Sequence, residues 1–154
     1  MQIQWVLKKF CELNPYELYS ILQLRNEVFV VEQNCVFQDA DDKDQESHHL
    51  AGYTNNKLVA YTRLVPPGLI YEETSIGRVV TSPSVRREGA GKVLMQESIK
   101  KAYELFGVQP IKIGAQLYLK KFYEGFDFTQ ASDMYLEDGI PHIYMLKLPG
   151  SSTK

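Results

Sequence analysis

The chain has 154 residues, of which 44% are hydrophobic and 23% charged, and its net charge is −2. This size and balance are typical of one domain that buries its own core without disulfides or a structural metal. Nucleic acid is disfavoured as a partner, because phosphate binding needs clustered cations. Apolar runs stay below the roughly 18–20 residues that cross a membrane, so no membrane association is expected. The start has no signal-peptide pattern, and we therefore expect a cytoplasmic protein whose Cys11 and Cys35 are reduced and buried.

The hydrophobic pattern switches between strand and helix periods along the chain. Asn14-Pro15-Tyr16-Glu17 has the residues of a capping box and predicts the start of the first helix. Asn55-Asn56 predicts a tight hairpin turn, because Asn tolerates positive φ. A second hairpin is predicted around Asp138-Gly139. Strands are predicted over 3–7, 48–54, 57–65, 75–81, 111–115, 131–136 and 142–148, and further helices over 91–106 and 117–126.

An acidic loop separates the first helix from the second strand. Five of its carboxylates lie close together in sequence: Asp39, Asp41, Asp42, Asp44 and Glu46. A cleft lined by one sign of charge concentrates ligands of the other sign, so this loop favours a cationic ligand, unless it is only a solvated surface. The whole pattern indicates one α/β domain over 1–149, followed by a frayed tail over 150–154.

The loop from Arg86 to Gly91, between a strand and a long helix, has the features of an anion site. The N–H groups at a helix start lack internal partners, and the helix dipole adds partial positive charge. Gly89 and Gly91 allow phosphate oxygens close to the backbone. Arg86, Arg87 and Lys92 supply positive charge. The spacing matches neither the dinucleotide fingerprint nor the P-loop, and an ordinary turn with surface arginines stays open as the alternative.

Arg86-x-x-Gly89-x-Gly91 closely resembles the acetyl-coenzyme A signature (Gln or Arg)-x-x-Gly-x-(Gly or Ala) of the GNAT acetyltransferase superfamily. The block over 119–124, with its Phe122-Tyr123 pair, resembles a helix of the same superfamily. The segments 24–33, 75–79 and 137–142 resemble its ElaA-like branch. Together these blocks cover essentially the whole chain.

The resemblance implies a mixed, mostly antiparallel sheet of about seven strands flanked by helices, with the fourth and fifth strands splayed around pantetheine. It implies an N-acetyltransferase with acetyl-CoA as acyl donor and Tyr123 as the acid that protonates the thiolate. The residues that it implies for the donor are Val79, Val80 and Thr81 at pantetheine, and Arg86, Arg87, Gly89, Ala90, Gly91 and Lys92 at the pyrophosphate. For the acceptor site it implies Arg25 and Glu32. His142, beside Asp138 in the second predicted hairpin, is a candidate base at the acceptor site, and the alternative is a structural histidine, which is the more frequent role in a hairpin.

One position departs from the family pattern. Asp127 stands in Gly125-Phe126-Asp127-Phe128 where the family has Gly, and this position calls for left-handed backbone. Asp adopts that conformation more readily than most residues.

A metal site is not expected. His48 and His49 are adjacent on a strand and therefore point to opposite faces. The spacing of Asp39, Asp41 and Asp44 does not fit a calcium loop.

Three functional hypotheses remain open from the sequence. The first is direct transfer of acetyl to a primary amine of a small molecule, or of a protein or peptide. The second is an acyl-CoA sensor without catalysis, which retention of Tyr123 disfavours. The third is a thiol relay through Cys35, for which the sequence places no base. A homodimer is also compatible with the sequence.

Overall fold

The computed structural model describes residues 2–150, and its elements follow one another in the predicted order. The mixed, mostly antiparallel fold class is confirmed. The predicted tail lies outside the described residues from 151 onward. The strands are β1 Gln4–Lys9, β2 His48–Thr54, β3 Lys57–Val65, β4 Ser75–Thr81, β5 Ile111–Gln116, β6 Thr129–Gln130, β7 Tyr135–Glu137 and β8 Ile140–Lys147, and the α-helices are α1 Pro15–Arg25, α2 Ala90–Phe106 and α3 Lys120–Glu124.

The strands form two sheets that meet at one point. One sheet has the order β1-β2-β3-β4, and in the other β8 lies between β5 and the short strands β6 and β7. Every ladder is antiparallel, whereas β4 approaches β5 in parallel through a single bridge between Thr74 and Ile111. At this bridge the Lys112 N–H donates to the Thr74 carbonyl over 2.9 Å. Beyond it the two strands separate without further pairing in the described chain, which produces the splay that the resemblance implied.

Helices cover the sheets from two sides. The larger core packs α2 and α3 against both sheets, through residues such as Met95 and Ile99 of α2 and Ile113 of β5. A second core packs Ile21 and Leu24 of α1 against the other face of the first sheet. Burying each such aliphatic side chain contributes about 1.5–3 kcal/mol, so these two layers hold β4 in place from opposite sides, while β5 packs into the larger core.

The local turn and cap predictions are confirmed. Asn14 and Glu17 form the reciprocal capping box at the start of α1, with N–H to oxygen distances of 2.8 and 2.9 Å. Asn55 and Asn56 both have positive φ, as a two-residue hairpin turn requires. Asp127 also has left-handed backbone, with φ of 69°.

The first helix changes its winding halfway along. After Arg25 the chain continues as a π-helical segment over Asn26–Glu32. In a regular α-helix, residues seven positions apart share a face, but the wider π turns shift that phase. Arg25 is consequently fully buried, whereas 41% of the Glu32 side chain is exposed. The two side chains, seven positions apart in the sequence, therefore lie in different surroundings.

Three arginines and three aspartates form a buried ion-pair network. Arg25 donates to Asp39 over 2.7 Å and to Asp44 over 2.8 Å. Arg63 of β3 donates to Asp41 over 2.7 Å and to Asp44 over 3.0 Å. Arg78 of β4 donates to Asp39 over 2.7 Å and reaches Asp41 at 3.3 Å. This network fastens the acidic loop to α1, β3 and β4.

The network corrects two expectations from the sequence. The guanidinium of Arg25 is committed to two carboxylates and is not exposed to an acceptor. Asp39 and Asp44 are mostly buried, and Asp41 is paired with two arginines, so three of the five loop carboxylates are neutralised inside the protein. Asp42 and Glu46 are exposed. The acidic loop is thus chiefly a structural element.

Replacing Asp44 by Asn tests this structural role. Removing one partner of a buried ion pair leaves charge uncompensated, and we expect Asp44→Asn to lower the free energy of unfolding by about 3 kcal/mol. The matched control is Asp42→Asn, because Asp42 is exposed and Asn tolerates its φ of 63°. That control should change stability by less than about 0.5 kcal/mol. Urea unfolding measures both variants.

The loss of folding stability at acidic pH gives a second test of the ion-pair network. Burial raises the pKa of Asp41, but hydrogen bonds and charge from Arg63, together with the charge of Arg78, outweigh it and lower the pKa to about 2. A carboxylate with a lowered folded-state pKa stabilises the protein above its unfolded pKa and loses that effect as the pH falls. Wild-type stability should therefore fall between about pH 4 and pH 2.

In the urea experiment, equal stability of Asp44→Asn and Asp42→Asn would contradict the structural role of the ion-pair network.

Candidate active site

The separation of β4 from β5 opens a cavity of about 480 Å³. Its long walls are β4 and β5, and the π-helical segment and the start of α3 lie at its sides. The hairpin of β7 and β8 closes it with the segment over 137–142. Pockets of this size hold small ligands or parts of larger ones, so this cleft is the candidate site.

A β-bulge in β4 shapes one wall. Tyr61 of β3 pairs with Val80 and Arg63 pairs with Gly77, so Arg78 and Val79 together stand opposite Thr62. Arg78 has a φ of 49°, which is unusual for a residue with a side chain. The extra residue reverses the side-chain alternation.

The reversal is visible in the two cores. Ile76 packs into the core under α2 and α3, whereas Val80, four positions later, packs into the core under α1. In a regular strand these two side chains would share a face. Past the bulge, the edge of β4 that faces the cleft has no strand partner among residues 2–150, so the peptide groups that point to this edge between Val79 and Thr81 are not used in strand pairing.

The loop that precedes α2 reaches the cleft through Arg86. Helix α2 begins at Ala90 after Gly89, whose φ is 80°, and no side chain caps the helix. Its first N–H groups are therefore free to bind an anion. A Cβ at Gly89 would meet nothing within 4 Å, and one at Gly91 would lie 3.7 Å from the Phe122 ring. This open, uncapped cradle fits a diphosphate.

The three cationic side chains near this helix start differ in their exposure and in their ion pairs. Arg87 and Lys92 are exposed. Arg86 donates two hydrogen bonds to Glu32, over 2.8 and 2.6 Å. This pair joins the π-helical segment to the loop over 86–91, which we call the phosphate loop after its predicted ligand. The hydrogen bond from Arg86 lowers the pKa of Glu32. Glu32 lines the cleft, but the structure places it against the phosphate loop and pairs it with a cation, so it is not a free carboxylate for an acceptor.

Tyr123 lies on α3 at the wall of the cleft and is only 6% exposed. Phe122 and Phe128 pack against its ring with edge-on geometry. Burial raises the pKa of its phenol, with a smaller contribution from Tyr118. The phenol is therefore protonated at neutral pH and has a proton to donate.

His142, on β8, is buried and also lines the cleft. Its Nδ1 lies 2.7 Å from the Ile140 carbonyl, and its Nε2 lies 3.5 Å from the Glu137 carboxylate. The Tyr135 ring stacks on the imidazole. Gln116, the β5 partner of His142 across the ladder, donates to Gln33 over 3.3 Å and bridges the cleft beside it.

The sequence reasoning assigned no role to Glu137, Arg78 or the two glutamines. Glu137 stood inside the block over 137–142 that resembles the ElaA-like branch, and its position next to a predicted hairpin turn was the only signal. Arg78 likewise stood inside the block over 75–79, but the bulge itself had no signal, since the residue with positive φ is not a glycine.

The cysteines differ from each other. Cys35 is buried, lines the cleft and places its Sγ 3.5 Å from the Asp138 carbonyl. Cys11 is exposed, so the expectation that both cysteines are buried is wrong for Cys11.

In the part of the chain that the structure describes, no three His, Cys, Asp or Glu side chains gather as metal ligands. None of the helices between residues 2 and 150 is both long and apolar enough to span a membrane.

Comparison with known proteins defines the class. The family model for the acetyltransferase (GNAT) domain matches residues 17–149. The chain belongs to this acetyltransferase family.

Individual relatives agree along the full chain. Protein ElaA of Escherichia coli is 40% identical over 147 residues, covering 94% of this chain and 96% of ElaA. The crystal structure of Escherichia coli ElaA superposes with a TM-score of 0.89 over 95% of this chain and 99% of that one. The crystal structure of an acyl-CoA N-acyltransferase from Pseudomonas aeruginosa superposes with a TM-score of 0.91 at 39% identity, over 95% of this chain and 99% of that one. The ElaA-like resemblance seen in the sequence is therefore confirmed.

The geometry of the phosphate loop predicts a graded response at Gly91. Its Cβ position has ordinary contact distance to Phe122, so Gly91→Ala should fold normally and keep its affinity for acetyl-CoA within about tenfold. Gly91→Val adds a branched side chain at the helix start where a diphosphate would approach, and should weaken binding by more than about 100-fold, or about 2.7 kcal/mol. Calorimetric titration with acetyl-CoA measures both. Equal affinity of the Val variant and wild type would remove the loop from the donor site.

Proposed function

We propose that this protein transfers the acetyl group of acetyl-CoA to a primary amine of a small molecule, by direct attack of the amine on the thioester. One observation carries the proposal. A single cleft runs between the separating strands β4 and β5, with Tyr123 in its wall and with Arg86, from the loop that precedes the uncapped start of α2, also in its lining. The name of the Pseudomonas aeruginosa relative, an acyl-CoA N-acyltransferase, supports the same class of reaction.

The donor would be held mainly by backbone. In this proposal the peptide groups of Val79, Val80 and Thr81 pair with the pantetheine amides along the free edge of β4. The N–H groups that begin at Gly89, Ala90 and Gly91 bind the pyrophosphate, and Arg86, Arg87 and Lys92 add positive charge. The domain would extend over 1–149, slightly beyond the matched range on its N-terminal side.

The chemistry needs a neutral amine and an acid for the leaving thiolate. An ammonium group has no lone pair, so a proton must leave the nitrogen before attack. When the C–S bond breaks, the phenol of Tyr123 would protonate the sulfur. Its raised pKa keeps the proton in place until the thiolate forms.

The acceptor end of the cleft favours a cationic amine. With Asp39, Asp41 and Asp44 paired to arginines, the acidic side chains of the β7–β8 hairpin, Glu137 and Asp138, supply its negative charge. A cleft of one sign raises the local concentration of the opposite charge. This replaces the acidic loop as the support for a cationic acceptor.

A second candidate follows from Cys35, whose Sγ lies in the cleft wall. In a thiol relay this sulfur would take the acetyl group before the amine does. Replacing Cys35 by Ser separates the two mechanisms, since direct transfer tolerates the change and the relay does not.

An amine panel tests the proposed function. Purified protein with acetyl-CoA is incubated with alkylamines, diamines, amino sugars, amino acids and a lysine peptide, and release of free coenzyme A is followed. We expect release with small cationic amines. Tight acetyl-CoA binding without transfer to any panel amine would favour the sensor, and transfer to the peptide alone would favour a protein substrate.

Tyr123→Phe tests the acid. The substitution keeps the ring packing against Phe122 and Phe128 and removes the proton donor. We expect turnover to fall by about 10²-fold or more, with little change in acetyl-CoA affinity. The matched control is Tyr118→Phe, because Tyr118 also lines the cleft but is 75% exposed. Wild-type turnover of the Tyr123 variant would make this residue a packing residue.

A further inference from the structure

We propose that His142 is the general base of the transfer and that the Glu137 carboxylate holds the acceptor ammonium beside it. The proposal rests on the proposed function and deepens it. It assigns the two side chains that act on the amine, opposite the phenol that acts on the sulfur.

The hydrogen bond at Nδ1 fixes the tautomer of His142. A carbonyl oxygen only accepts, so the 2.7 Å contact with Ile140 requires the proton on Nδ1. In the neutral ring Nε2 then carries the lone pair. That nitrogen lies on the side of Glu137, 3.5 Å from its carboxylate. The stacked Tyr135 ring, 5.8 Å away between centroids and tilted by only 27°, restrains the imidazole in this orientation.

Glu137 is available to a cationic ligand. Its side chain is 61% exposed, and the ion pairs of residues 2–150 give it no lysine or arginine partner. It lines both the main cleft and an adjoining cavity of about 310 Å³. An ammonium group between Glu137 and His142 would satisfy the carboxylate and place its N–H beside the Nε2 lone pair.

The other titratable groups of the cleft are committed elsewhere. Glu32 is paired with Arg86, and the Cys35 thiol is directed to the Asp138 carbonyl. Tyr123 holds its proton because burial raises its pKa. Besides Glu137, the groups of the cleft wall nearest His142 in the hairpin are Tyr135, stacked on the ring, and Asp138 in the turn. Among these groups, His142 is the one whose Nε2 faces the Glu137 carboxylate, and in the neutral ring that nitrogen carries the lone pair.

The proposed acetyl transfer begins at the ammonium group of the acceptor. Nε2 of His142 takes one proton from the ammonium and later returns it to solvent. The freed nitrogen pair forms the C–N bond, the C–S bond breaks, and its electrons leave with sulfur, which takes the proton of Tyr123. The nitrogen gives up a second proton, which restores the phenol through water. The net reaction converts ammonium and thioester into amide, thiol and one proton.

The kinetic test compares two amines and three variants. The probes are 1,4-diaminobutane, an ammonium at neutral pH, and hydroxylamine, which is already neutral there. His142→Gln should lower kcat for the diamine by about 10²-fold and for hydroxylamine by less than about tenfold, because the second probe needs no base for its first proton. Glu137→Gln should raise KM for the diamine about tenfold or more, with a smaller change in kcat. The control, His48→Gln, lies outside the cleft lining and should match wild type.

A binding test decides the docking separately from turnover. Added 1,4-diaminobutane should shift the His142 Hε1 resonance in wild type and much less in Glu137→Gln. The same shift in both proteins, or none in wild type, overturns the docking role. Equal losses with both amines in His142→Gln overturn the base. If no amine releases coenzyme A from wild type, the proposed function fails, and the resonance still reports whether the pair binds an ammonium.

Discussion

The left-handed residue in the middle of β4 is the constraint on which the site depends. The backbone strain of a non-glycine residue with positive φ costs about 1–3 kcal/mol, and such a conformation persists only where the surrounding structure imposes it. Here Arg78, at φ 49°, donates from Nε to Asp39 and from Nη2 to the Asp39 carbonyl, over 2.7 and 2.8 Å. The side chain of the strained residue thus holds its own backbone in place, through a loop that Arg25 anchors to the first helix.

The bulge has two consequences for the cleft. It turns Val80 towards α1, while Ile76 faces α2 and α3. The two helical layers therefore pack against the same strand, one on each side of the bulge. The increased local twist of a bulged strand also carries β4 away from β5 beyond the Thr74 bridge. Charge neutrality of the network matters as well, because Arg78, which lines the cleft, is paired with Asp39 and Asp41.

The sequence predicts what neighbouring residues decide. The capping box at Asn14, the Asn55-Asn56 turn and the left-handed Asp127 each depend on a few adjacent positions, and each is confirmed. The family signature adds the phosphate loop, because a helix start with glycines is also a local feature. These signals were sufficient for the fold, whereas the binding of phosphate at the start of α2 stays a prediction.

The parts that escaped prediction depend on contacts distant in sequence. Arg63 and Arg78 lie 22 and 39 positions from the aspartates that they bind, so nothing in the acidic loop reveals that its charge is cancelled. The π-helical turns that separate Arg25 from Glu32 likewise have no local signature. The role of Glu137 emerges only when the β7–β8 register sets Tyr135 opposite His142 and brings the carboxylate to the ring.

The two ends of the cleft would recognise their ligands by different means. At the donor end the contacts come from peptide groups of β4 and the start of α2, which side-chain substitution hardly alters, apart from the glycines that let a phosphate approach. At the acceptor end they come from side chains of one hairpin and of the segment after the π-helical turns. In the proposed function, donor recognition would therefore be built into the fold, whereas acceptor choice would rest on a few exchangeable side chains such as Glu137 and Gln33. Relatives that keep the donor site can thus differ in their amine through this hairpin alone.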